Sequence, residues 1–201
     1  MSETGDSSTP SVVATSRSGG PTGPVAYIDL GQGGPGILGL LQYRPETGRP
    51  LKELTEVLLR GDSTLSRGER ELIAAHVSRL NDTGFCYHAH GTHAALQLEG
   101  GWATVDAALD GGEVPAVSPR IRSLLRIAAA VRAGGREVTP ELVQDARAAD
   151  ATDLDIHDTV LIAAAFCMFN RYVDGLDTWA PTDRQDYLTA GRTVVDHGYL
   201  T

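Results

Sequence analysis

Ser78-Arg-Leu-Asn-Asp-Thr-Gly-Phe-Cys-Tyr-His-Ala-His-Gly-Thr-His-Ala-Ala-Leu96 decides how this chain is read. The stretch holds one of the two cysteines and three of the six histidines. Cys86 and His90 are four apart, so on a helix they share a face, with His93 three further on. A thiol beside an imidazole is the basic arrangement of an activated cysteine. Glu71 lies fifteen positions before Cys86 in a helix-patterned run and can complete a set of carboxylate, thiol and imidazole. The plainer reading is packing, because a lone cysteine commonly serves as a small buried hydrophobe.

Working outward, Leu51, Leu54, Val57 and Leu58 mark an amphipathic helix. Ser66 with Glu69 forms a capping box that opens the helix carrying Glu71, and Leu72, Ile73, Val77 and Leu80 supply its apolar face. Asn81 to Gly84 breaks that helix. The next starts near Phe85 and is expected to run to the stop at Gly100-Gly101. Cys86 then lies in a first turn, where the helix dipole and free N–H groups favour a thiolate. Ser118-Pro119 opens a helix with Ile121, Leu124, Leu125 and Ala128 facing inward, closed by Gly134-Gly135. Thr139-Pro140 opens a short one. Thr152 with Asp155 opens a long helix to about Leu176, apolar nearly all round and therefore expected to be the buried central helix. A last helix is expected from Thr182 to Gly198. No segment alternates at period two, so the expected class is all-α, helix hairpins packed as a bundle.

Bulk composition narrows the function. The chain has 201 residues, 41% of them hydrophobic, enough for a core at this length. Residues 1–24, rich in Ser, Thr, Gly and Pro, read as a disordered tail rather than a signal peptide, and 25–201 as a single all-α domain. A net charge of −9 argues against nucleic acid and against an anionic membrane surface. The longest apolar run, Val160 to Phe169, is too short to span a bilayer. Two cysteines 81 positions apart make no disulfide framework, which points to a reducing cytoplasm.

Glu71, Cys86 and His90 resemble the signature of the alkylhydroperoxidase D and carboxymuconolactone decarboxylase superfamily: a Glu, then Cys-x-x-Cys, then a His four residues after the second Cys. Gly68-Glu-Arg-Glu-Leu-Ile-Ala-Ala75, Gly36-Ile-Leu-Gly-Leu-Leu41 and Phe169-Asn-Arg171 resemble its peroxidase-related branch, and the likeness spans roughly residues 25–177. It implies an alkylhydroperoxidase D-like helical bundle and a trimer or hexamer. Thr83 stands where the family has its first cysteine, so the usual intramolecular disulfide cannot form there. His88 and His93 are additions to the motif.

Each candidate residue has a role and a plainer alternative. Cys86 is the nucleophile or core; His90 takes the thiol proton or bonds a backbone carbonyl. Glu71 orients His90 or is a solvated helix residue. Thr83 donates to a bound peroxide or to Cys86, or caps the helix. His93 extends a metal site or faces solvent or a neighbouring subunit. His88 points away from Cys86, and His76 reads as packing or surface. Asn170 and Arg171 match the family's Asn-Arg pair, and a buried Arg calls for a structural ion pair. Cys167 reads as core. The Asp153, Asp155 and Asp158 cluster is explained by a helix N-terminus. Gly31-Gln-Gly-Gly-Pro-Gly36 lacks the preceding strand and following Lys of a phosphate loop.

Three functions compete. In the first, Cys86 with His90, Glu71 and Thr83 forms a thiol-dependent peroxidase that needs no cofactor, and an external thiol or Cys167 resolves the sulfenic acid. In the second, Glu71 and His90 move protons on a small carboxylated or carbonyl substrate without redox chemistry, like the superfamily's lactone decarboxylase. In the third, Cys86, His90, His93 and Glu71 bind Zn, Fe or Cu. Apolar helix surface at 36–41, 51–60 and 160–176 exceeds what one bundle can cover, a physical motive for a homo-oligomer.

Overall fold

The computed structural model describes residues 26–112 and 115–201; the expected tail, residues 1–24, lies outside them. Among the described residues the chain forms nine α-helices and no strand. They are α1 (Ile37–Tyr43), α2 (Pro45–Arg60), α3 (Arg67–Leu80), α4 (Gly84–Ala95), α5 (Trp102–Leu109), α6 (Pro119–Ala133), α7 (Pro140–Ala148), α8 (Asp153–Gly175) and α9 (Leu188–His197). None of them is long and apolar enough to cross a membrane. The all-α class is as the sequence predicts.

Local signals place the ends. The Ser66 side chain accepts from the Glu69 N–H, and Glu69 reaches back to the Ser66 N–H, so the predicted capping box opens α3. Ser118 caps α6 with Pro119 in the first turn. Thr152 and Asp155 form a second box on α8. Dipole stabilisation is only part of the role of Asp155: it is fully buried and also accepts from Thr64 Oγ1 at 2.6 Å, tying α8 to the loop before α3.

α3 is the axis of the bundle, packed against α4, α6 and α8. Leu72, Ile73 and Val77 of α3 meet Ile121, Leu124 and Ile127 of α6 and Ile162 and Phe166 of α8 in one apolar cluster. Full burial of each such side chain contributes roughly 1.5–3 kcal/mol. A smaller cluster of Leu40, Phe85, Cys86, Val173 and Tyr187 lies beyond it, where α1, α4 and α8 meet. Gly36 admits that contact. Its φ is +55°, and a Cβ would lie 2.1 Å from the Phe85 ring. Gly36, at the end of the glycine run, thus serves packing.

Several expectations are corrected. α2 begins at Pro45, with Pro50 inside it, rather than at Leu51. α4 ends at Ala95 rather than at the glycine pair: Gln97 Nε2 donates to the His93 carbonyl, while Gly100 and Gly101 take positive φ and restart the chain as α5, a helix the sequence reading omitted. The last segment opens with a single tight turn at 184–187, capped by Asp183, before α9. α8 is not buried all round: Leu154, Leu161 and Met168 are 46%, 41% and 46% exposed along one side. Arg171 lies on that exposed side and donates to the Cys167 carbonyl at 2.9 Å, rather than sitting buried in an ion pair. Its neighbour Asn170 is the buried member, donating to Ser78 Oγ at 3.1 Å and accepting from Asn81 at 2.9 Å.

Candidate active site

The α3–α4 hairpin brings the motif together. α3 stops at Leu80, Asp82 takes φ +60°, and α4 restarts at Gly84 alongside α3. Glu71 and His90, on facing helices, then come within 2.7 Å, Oε2 to Nδ1. His93, nearly one turn on, places its Nδ1 3.4 Å from the same oxygen. The other carboxylate oxygen, Oε1, accepts from the Tyr199 hydroxyl at 2.5 Å. Tyr199 also lies 3.1 Å from His93 Nδ1 and 3.4 Å from His90 Nδ1. It enters just past α9, where Gly198 turns the chain at φ +91° and Glu56 of α2 accepts the Tyr199 N–H at 2.7 Å.

Glu71 is only 2% exposed. Burial by itself raises its pKa, but His93 and the His90 hydrogen bond outweigh that and hold it well below the usual carboxylate range. Burial lowers His90, with Glu71 acting in the opposite direction. The pair is therefore a carboxylate accepting the Nδ1–H of a neutral imidazole, which leaves the His90 Nε2 lone pair free. Burial and the adjacent Glu71 carboxylate push Tyr199 far up, so it stays a phenol and donates.

Above this cluster lies a cavity of about 330 Å³. Its walls are mainly apolar (Leu38, Leu41, Leu51, Phe85, Phe166 and Phe169 among them) with Gln42, Lys52, Thr55 and Asp186 as polar members, and His90, His93, Tyr199 and Cys86 face into it. Glu71 stands behind the imidazoles rather than on the wall. The Phe166 ring meets the His90 ring edge-on at 4.5 Å and fixes its plane.

Cys86 departs from the expected thiolate. It is 2% exposed, and burial pushes its thiol up to about 12, with Asp174 adding in the same direction and Asn170 opposing. Dehydration outweighs the helix dipole here. Thr83 neither caps α4 with its side chain nor lines the cavity; it is buried and donates to Asp174 Oδ2 at 2.5 Å. Among the described residues, the side chains whose ligand atoms all lie within 4.8 Å of one another are Glu71, His90 and His93, without Cys86. Cys167 is a buried free thiol on α8, 3.8 Å from Asn81 Nδ2. His76, predicted as packing or surface, is largely buried, and burial lowers its pKa to about 4. His88 packs against Tyr187 with ring centroids 5.5 Å apart. Tyr199 is the residue the sequence reading missed; no spacing rule links it to Glu71, 128 positions away.

The carboxymuconolactone decarboxylase family matches residues 45–130, which hold Glu71, Cys86, His90 and His93 but not Tyr199. No curated protein matches significantly. The solved structure of an uncharacterised peroxidase-related protein from Silicibacter sp. TM1040 is similar, at 24% identity and a TM-score of 0.66 over 77% of this chain and 78% of that one. Another, described as an alkylhydroperoxidase core and an uncharacterised peroxidase-related protein from Ralstonia eutropha JMP134, is 26% identical with a TM-score of 0.64 over 79% and 81%. The motif, the matched region and the fold thus agree: residues 45–130 match the carboxymuconolactone decarboxylase family, within a fold similar to that of the alkylhydroperoxidase D-like structures.

Proposed function

We propose that the chain is an enzyme that moves protons on a small, largely apolar carbonyl or carboxylated substrate, with His90 as the base. The Glu71–His90 bond of 2.7 Å carries this reading. A buried carboxylate that takes the Nδ1–H fixes the tautomer, orients the ring and stabilises the imidazolium formed when Nε2 accepts a proton. Cys86 remains a neutral thiol in the cavity wall. Hydrogen–deuterium exchange next to the carbonyl of small apolar ketones and lactone acids, followed by NMR with metal-free protein, tests the reading. Exchange that falls by about 10²-fold or more in His90→Gln and survives in Cys86→Ser is expected. Exchange unaffected by His90→Gln overturns it.

A thiol peroxidase is the second reading. It is favoured by Cys86 and His90 lining the same cavity one turn apart, and by the similarity of the fold to proteins described as peroxidase-related. In it the Cys86 thiolate takes the terminal oxygen of a hydroperoxide, leaving an alcohol and a cysteine sulfenic acid; one external thiol condenses with that sulfenic acid to a mixed disulfide and water, and a second releases free Cys86 and the disulfide of the two external thiols. The raised pKa of the buried thiol works against this reading, since the thiolate is then a far smaller fraction at neutral pH than the few per cent of a free cysteine. Consumption of cumene hydroperoxide with dithiothreitol, abolished by Cys86→Ala, would move the assignment to it.

A further inference from the structure

The charge of Glu71 is not balanced by a fixed cation. Among the described residues, its ion-pair partners within 4.0 Å are the two imidazoles, not a guanidinium or an ammonium. A carboxylate this deeply buried is expensive unless its charge is neutralised. A proton on an imidazole is one way to do that, and a metal ion is another.

We propose that Glu71 Oε2, His90 Nδ1, His93 Nδ1 and the Tyr199 hydroxyl form a binding site for one first-row divalent cation, at the inner end of the cavity. Three of the distances among these groups already stand at coordination spacing. His93 Nδ1 is 3.4 Å from Glu71 and 3.1 Å from Tyr199, and Tyr199 is 3.4 Å from His90 Nδ1. Ligands about 2.0 Å from a tetrahedral ion lie about 3.3 Å apart. The His90–Glu71 contact of 2.7 Å has to open by about half an ångström. Two imidazoles, a carboxylate and a phenol suit Zn²⁺, Fe²⁺ or Co²⁺, and the absence of a thiolate ligand disfavours Cu⁺. The supporting shell is present: Phe166 packs on His90, and Glu56 holds the backbone of Tyr199. His90, His93 and Tyr199 line the cavity, so an ion would approach from that side, past the two imidazoles.

On binding, each imidazole gives its Nδ1 lone pair to the ion and carries its proton on Nε2 instead. The loaded site therefore has no free base at His90. The inference shares side chains with the proton-transfer reading but does not rest on it. Metal content reports one and turnover of the metal-free protein reports the other, so each can fail alone.

Untagged protein stripped with a chelator is titrated with Zn²⁺ and Co²⁺. One ion per chain is expected, with a rise in thermal midpoint and inhibition of any metal-free turnover. Cobalt should give ligand-field bands without the thiolate charge-transfer band in the near ultraviolet. Glu71→Gln and His93→Gln, checked for folding by circular dichroism, should each weaken binding at least about tenfold. Cys86→Ser, and His157→Ala with His197→Ala on the surface, should bind as the parent does. Lack of stoichiometric uptake, a thiolate band, or affinity unchanged in a folded Glu71→Gln or His93→Gln protein overturns the site. Where those variants do not fold, the cobalt spectrum of the unaltered chain decides alone.

Discussion

The Tyr199 hydroxyl donates to Glu71 Oε1 across 2.5 Å, while His90 holds the opposite oxygen of the same carboxylate at 2.7 Å. Glu71 is thus clamped from both sides, and its hydrogen bonds set the basicity of the imidazole it orients.

Tyr199→Phe removes one donor from this carboxylate and leaves the ring packing in place. Glu71 becomes more basic, and so does His90. The acidic limb of the pH–rate profile of the metal-free enzyme is expected to move to higher pH. Stability should fall by about 1–3 kcal/mol, the usual loss for an unpaired buried partner of a charge. Urea unfolding and kcat/KM against pH measure the two effects, and a profile that stays in place would show that Tyr199 does not act through Glu71.

The Cys86 thiol, buried and raised to about 12, should alkylate more slowly than a free thiol of pKa ~8.5 at every pH below that value. Iodoacetamide labelling followed by mass spectrometry distinguishes Cys86 from Cys167. Labelling of Cys86 faster than a model thiol near pH 6 would restore the activated-thiol picture.

His76 gives the fold an acid sensitivity independent of the site. Burial lowers it to about 4, and the nearby Arg79 charge acts in the same direction. The unfolded chain takes up a proton at this residue near pH 6.5 and the folded chain only near pH 4, so its contribution to stability is lost as pH falls between those values. The loss should reach about 2 kcal/mol by about pH 5. His90 and Glu71, both lowered on folding, add in the same direction. Urea midpoints against pH for His76→Leu should show a shallower acid limb than the parent, and identical slopes would sink the assignment.

α8 presents Leu154, Leu161 and Met168 at a spacing of seven, a single apolar stripe along its exposed side. We propose that this stripe is the self-association surface of a homo-oligomer. Sedimentation at micromolar concentration is expected to give a multiple of 21.3 kDa, and Leu161→Lys to reduce it toward one chain. A mass of 21.3 kDa for the unaltered protein contradicts the oligomer.

Much of the hairpin that carries the site was legible in the residues. The capping box at Ser66, the break at Asn81 to Gly84 and the four-residue step from Cys86 to His90 are short-range facts, and helix geometry converts them directly into neighbours. The same holds for α6 and for the start of α8, whose capping residues act within one turn. What local pattern cannot carry is dehydration and closure. Cys86 has the spacing of an activated thiol, yet its protonation follows from the packing of Phe85, Val173 and Tyr187 around it. Thr83 has the position of a cap, but Asp174, 91 residues away, takes its hydroxyl. α8 reads as apolar all round, and only its packing against α3 and α6 determines which side stays exposed. Tyr199 reaches Glu71 because α9 and Gly198 return the chain end to α3 and α4. The sequence by itself determined which residues share a helix face; the tertiary structure decided which of them lose water and which distant partner meets them, because those depend on where the whole chain closes.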